Sequence, residues 1–250
     1  MSNVKKTLKK IGRQTWDLFK GSFPSLLMYF CAGAALMMLT MKGDDAFKWN
    51  NTKLAWTIVS IVVAAGYNAL VTYAQGGNAY EMLVSGNMKR VSADKYGEGY
   101  KISSHKEAKE YRVWKGFAMG GFAAIFPIVT GLVFGCKADI INQGLSEQTT
   151  GLSTGFGILL IACFLLSGWS ILPFFYLNAS GTAANYFLSC LFGLVPIAVT
   201  GAMYIVGAYA RRNKNVRKQM LADQIAQAEA TKEKKINYGG LPGTKPKKRK

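Results

Sequence analysis

Residues 155–178 read GFGILLIACFLLSGWSILPFFYLN, twenty-four positions without one Asp, Glu, Lys, Arg or His. A core strand or helix of a soluble domain needs no such length, whereas a helix needs about 20 apolar residues to cross a bilayer. Four more runs free of Asp, Glu, Lys and Arg accompany it, at residues 25–41, 54–75, 116–135 and 186–210. The first of these, at about 17 residues, is at the lower limit for a span, and the rest reach full length. Half of the 250 residues are hydrophobic and 18% are charged, which an apolar soluble domain could also show. The segregation of charge from apolar sequence decides between the two. It predicts an all-α polytopic membrane protein with four to six transmembrane helices.

Lys and Arg lie almost wholly between the runs. Residues 1–24 carry six, 42–53 three, 76–115 eight, 136–154 one, 179–185 none and 211–250 thirteen. Asp44, Asp45, Asp139 and Glu147 offset the few lysines of two of these loops, so the formal charge of +18 sits in three segments. Cations near span ends favour the cytoplasmic side. The N-terminus, the 76–115 loop and the C-terminal tail are therefore expected inside, in a bacterial type of cytoplasmic membrane.

Five simple crossings conflict with that expectation, because they would export the thirteen cations of the tail. The economical resolution is a single net crossing between residues 155 and 210, with one of the last two runs re-entrant or broken. Pro173 and Pro196 interrupt these runs, and the charge-free connector NASGTAAN between them suits burial at membrane depth, where irregular backbone is tolerated if protein covers it.

The chain divides into a basic amphipathic N-terminal segment (1–24), a transmembrane domain (25–210) with a cytoplasmic loop at 76–115, a basic helical extension (211–236) and a polybasic tail (237–250). In the first segment Val4, Leu8, Ile11, Thr15 and Leu18 recur at helical spacing, with Lys5, Lys6, Lys9, Lys10 and Arg13 mostly elsewhere on the wheel. Within the loop, Ser104 and Glu107 form an S-x-x-E helix start, which predicts a helix over 105–114 leading directly into the third span. No Gly or Pro interrupts 211–235, so the last helix is expected to continue beyond the bilayer. Gly, Pro and Lys dominate residues 237–250, a composition that favours disorder.

Catalytic chemistry is hard to find. The sole histidine, His105, has no nearby Cys, and Cys31, Cys136, Cys163 and Cys190 form no C-x-x-C, so neither a metal site nor a disulfide framework is indicated. YGEGYK at 96–101 lacks the pattern of a phosphate-binding loop. No catalytic triad, metalloprotease motif or cofactor-binding motif is legible, and the chain reads as non-enzymatic.

Polar groups inside the runs are neutral. Asn68, Thr130, Ser167, Ser170 and Thr200 could line a polar path through a transporter or channel, although interhelical hydrogen bonding is their ordinary role. Gly116 and Gly120, with Gly131 and Gly135, form two G-x-x-x-G pairs that permit close helix packing. Arg211, Arg212, Lys214, Arg217 and Lys218, with Lys245, Lys247, Lys248, Arg249 and Lys250, suit contact with anionic lipid headgroups, RNA or a ribosome, or an acidic partner. The expectation is a membrane adaptor or assembly component, with a transporter or channel subunit as the alternative.

Overall fold

The computed structural model describes residues 2–40, 50–95, 109–141, 154–177 and 183–238. These are helical almost throughout, and no strand occurs among them. The helices are α1 (Ser2–Thr40), α2 (Asn51–Lys95), α3 (Trp114–Cys136), α4 (Thr154–Leu177), α5 (Ala183–Leu188) and α6 (Leu194–Tyr238), with a 3-10 turn at Ser189–Gly193 between the last two. Five stretches are long and apolar enough to cross a membrane: Thr7–Leu39, Asn51–Lys89, Trp114–Cys136, Thr154–Phe174 and Ala183–Thr231. This is an all-α integral membrane protein. The chain forms two compact units, Met1–Ala208 and Tyr209–Lys250.

Three boundaries differ from the sequence reading. Pro24 does not separate an N-terminal helix from the first span, since α1 is one helix with the proline inside; a transmembrane helix can tolerate the missing N–H. Residues 76–95 are helical rather than loop and extend α2 to Lys95. The helix expected over 105–114 is interrupted, because residues 110–113 are non-helical and α3 starts at Trp114. Residues 104–108 lie outside the described residues, as do the 96–101 motif and 239–250.

Helix directions follow from residue pairs. The Ser25 hydroxyl donates to Asn68 Oδ1, and Gln75 Nε2 donates to the Gly21 carbonyl at 2.9 Å, so α2 runs antiparallel to α1. Phe19 meets Phe122 edge-on with ring centroids 6.0 Å apart, and one groove takes Leu26 and Tyr29 of α1 with Ala123 and Phe126 of α3. Along α3, a Cβ on Gly116 would lie 2.7 Å from the Tyr204 Cβ, one on Gly120 2.6 Å from the Ile197 Cα, one on Gly131 2.6 Å from the Ser189 Oγ, and one on Gly135 2.5 Å from the Phe187 ring. Residues 187–204 thus run antiparallel along the whole of α3, and all four glycines of the G-x-x-x-G pairs face this segment.

α4 lies on α1, where Gly33 faces Leu165 and Gly168 backbone and Tyr29 stacks on Trp169 at 4.7 Å. It is not one straight helix. Ser167 has φ −142° and ψ 23°, a break in the helical backbone. The core gathers around Phe134, which is fully buried and meets Phe164 and Tyr186 edge-on, with Leu36, Trp169, Ile171 and Leu172 in the same cluster.

Candidate functional site

Several buried polar groups of the spans are held locally. Ser170 donates to the Ser167 carbonyl at 2.9 Å, Thr200 to the Pro196 carbonyl and Thr72 to the Asn68 carbonyl. Asn68 joins helices, accepting from Ser25 and donating from Nδ2 to the Tyr29 hydroxyl at 3.4 Å. Asn68, Thr130, Ser167, Ser170 and Thr200 are all buried, but they line neither of the two cavities described below.

The first cavity is an apolar groove of about 250 Å³ among Phe19, Phe23, Leu26, Phe30, Phe126 and Trp169. The second differs in chemistry. It has about 430 Å³ and is lined by Asp17, Lys20, Gln75, Asn78, Lys109, Lys115 and Tyr204, together with Leu18, Gly21, Ala79, Met82 and Met119. All belong to the 1–208 unit.

The segment preceding α3 shapes this second cavity. The Tyr111 N–H donates to the Ala79 carbonyl at 3.0 Å, and its ring stacks on Tyr204 at 5.4 Å and meets Tyr80 edge-on. That clamp fixes where α3 begins and carries Lys115 inward. Lys115 is only 6% exposed, and its Nζ donates to the Glu110 carbonyl at 2.5 Å. Burying an ammonium needs such compensation, since the charge loses its hydration. Met119 and Tyr204 complete a buried floor, while Lys20, Asn78, Met82 and Lys109 form an exposed rim.

Two acceptors on residues around this cup are anomalous. Asp17 Oδ2 and Gln75 Oε1 are shut off from solvent and accept no hydrogen bond. The Gln75 amide is oriented by the Gly21 carbonyl, which only its nitrogen can satisfy, so its oxygen faces away from that partner. A buried acceptor left unpaired costs about 1–3 kcal/mol, more when charged. Trp169 Nε1 and Ser167 Oγ are likewise buried without a partner, nearer the middle of the bundle.

Sequence reasoning missed the second cavity. Its residues come from positions near 17–21, 75–82, 109–119 and 204, and no local spacing connects them. The available signal was weak: Lys20 and Lys115 each stand close to the edge of an apolar run.

Among the described residues no group of three or more His, Cys, Asp or Glu could hold a metal ion. The basic C-terminal residues fall in the second unit, where α6 reaches Tyr238. Arg212, Lys214, Arg217 and Lys218 are exposed and Arg211 is half-buried; Lys245, Lys247, Lys248, Arg249 and Lys250 lie outside the described residues. Comparison with protein-family models, curated proteins and solved structures gave no match to this chain.

Proposed function

We propose that this protein is a non-enzymatic membrane component, an adaptor or assembly factor that engages a polyanionic partner at the cytoplasmic face through its C-terminal arm. The observation that carries this reading is the cluster Arg211, Arg212, Lys214, Arg217 and Lys218, five cations within eight residues of one helix. Exposed Val216, Met220, Leu221 and Ile225 accompany them, so the same helix offers apolar side chains to whatever the cations attract.

The reading requires the arm and the N-terminus to share the cytoplasmic side, and the geometry of α4 supports that. The first part of α4 and the segment 187–204 both run antiparallel to α3, so they point the same way. Phe134 touches both Phe164 and Tyr186, which puts those two at about one level, so a straight α4 would leave Leu177 about 24 Å from the level where α5 begins at Ala183. The five residues 178–182 let the chain reach only about 21 Å between Leu177 and Ala183. The break in the helical backbone at Ser167 suits a change of direction there, and on this reading α4 is a re-entrant element rather than a fourth crossing. Four net crossings then remain, at α1, α2, α3 and the α5–α6 segment. The three basic segments fall on one side and the two nearly neutral loops on the other, as the distribution of Lys and Arg favours.

The alternative, a transporter or channel subunit with a neutral polar path, draws less support, because the residues expected to form that path line neither cavity. The adaptor reading is tested by removing residues 211–250. Co-sedimentation of the detergent-solubilised protein with ribosomes, and separately with anionic vesicles, is measured across salt concentration. Loss of a steeply salt-dependent association with one of them, with insertion intact, is expected. Association that survives the truncation unchanged, with the same salt dependence, sinks the proposal.

A further inference from the structure

The apolar groove among α1, α3 and α4 has the depth of one leaflet. Its α1 wall runs from Phe19 to Phe30, about 16 Å along a helix axis. A Cβ on Gly21 would lie 2.6 Å from the Met119 sulfur, so the Phe19 end stands near the level where the charge-free run of α3 begins, at residue 116. Exposed Trp16 and Trp114 mark the same edge, with the Lys20 ammonium 5.3 Å from the Trp16 ring centroid; all three side chains favour the membrane interface. From that edge, 16 Å reaches the middle of a hydrocarbon layer about 30 Å thick.

The walls and the width narrow the choice of occupant. Every lining residue is Phe, Leu, Ala, Tyr or Trp. Tyr29, Ala123 and Trp169, none more than 3% exposed, form the floor, and half-exposed Phe23 and Leu27 stand on the rim. Among the described residues α4 closes only the inner end, since no residue beyond Trp169 lines the groove. Ile171 and Leu172 are buried in the core instead, and Phe174 packs edge-on against Phe192. What fills the rest must come from the bilayer. A volume of about 250 Å³ spread over 16 Å leaves a mean section of about 15 Å², which is too narrow to seat a helix about 10 Å across and matches a single hydrocarbon chain.

We propose that this groove binds one acyl chain of a phospholipid from the leaflet on the side of the N-terminus. The ester region lies at the edge marked by Trp16 and Lys20, and the methyl end lies beside Trp169. Ala123 makes the room, because it is the one small side chain in a wall of large ones. Recognition is of the tail, through its length and slenderness. The groove is separate from the C-terminal arm and stands or falls independently of the adaptor reading.

The test uses the full-length protein in detergent with Trp169 as its sole tryptophan, Trp16, Trp49, Trp56 and Trp114 being replaced by Phe. Phosphatidylcholine brominated on one chain, near the ester, at mid-chain or near the methyl end, is titrated in, and contact quenching of the indole fluorescence is read. Quenching should saturate at one lipid per protein and be strongest with bromine near the methyl end. Ala123→Leu, which fills the floor, should weaken binding about ten-fold. Because Ala123 is buried, the rim double variant Phe23→Ala/Leu27→Ala gives a second readout and should weaken binding in a chain that keeps its core. Gly121→Leu, on the same helix but facing open space, should bind as the parent does. Quenching that rises without saturating, quenching equal for the three bromine positions, or binding unchanged in the rim variant would each overturn the proposal. So would a parent protein that is dimeric and becomes monomeric in the rim variant, since the groove would then belong to a second copy of the chain.

Discussion

Gly33 of α1 and Gly168 of α4 meet backbone to backbone. A Cβ on Gly33 would stand 2.8 Å from the Leu165 carbonyl oxygen and 3.1 Å from the Gly168 nitrogen, and one on Gly168 would stand 3.1 Å from the Gly33 carbonyl oxygen. Without a hydrophobic driving force between helices in lipid, such close approach is a main source of their association. It also lies one residue from the break at Ser167, so the contact holds α4 against α1 where its path changes. Gly33→Val should therefore destabilise the bundle by about 1–3 kcal/mol, read as a lower Tm in detergent. Gly157→Ala, where a Cβ meets nothing within 4 Å, should change Tm little.

Neighbouring glycines on α3 make a sharper comparison. Gly120 faces Thr200, Ile197 and the Pro196 carbonyl, whereas Gly121 faces open space. Gly120→Leu should prevent α3 and α6 from closing and cause a large loss of folded yield. Gly121→Leu should be tolerated, and equal losses in the two variants would show that the α3–α6 contact is not what the glycine serves.

The Ser25–Asn68 bond is the clearest polar link between spans. A double-mutant cycle with Ser25→Ala and Asn68→Ala should give a coupling of about 0.6 kcal/mol, the average for hydrogen bonds inside membranes, and no more than about 1.7 kcal/mol. A coupling indistinguishable from zero would mean that the two side chains find other partners once separated.

Topology is open to direct measurement. In a background with the four native cysteines replaced, single cysteines at Lys10, Ser146, Ser180 and Lys245 can be labelled with a membrane-impermeant reagent from either side. Lys10→Cys and Lys245→Cys should label from one side, and Ser146→Cys and Ser180→Cys from the other. Labelling of Lys10→Cys and Lys245→Cys from opposite sides would remove the re-entrant assignment of α4.

The membrane class was legible because each apolar run lacks charge, and that signal survives any detail of packing. Element boundaries were not, for physical reasons visible at particular residues. Gly76 and Gly77 read as a loop start, yet α2 passes through them because Gly76 fits against the Tyr204 carbonyl, where any side chain would collide. The helix expected across Glu110 is broken by a tertiary choice, the Tyr111 N–H bonding to Ala79 of another helix. The lysine-lined cup was invisible for the same reason, since Asp17, Gln75 and Lys115 come together only through folding. The neutral polar residues were legible as buried, but sequence could not show that Thr200 and Ser170 spend their hydroxyls on carbonyls of their own helix.

The placement of Phe134 orders the protein's birth. Its ring is covered on one flank by Phe164 and on another by Tyr186, and Trp169 is covered in part by Phe192. Those last partners are synthesised more than fifty residues after Phe134 and more than twenty after Trp169. Until they leave the ribosome, the insertion machinery must shelter a half-built bundle whose third helix has an unfilled side, so maturation waits on translation of the fifth apolar run. Chains stalled before residue 186 should therefore be the natural clients of membrane quality control.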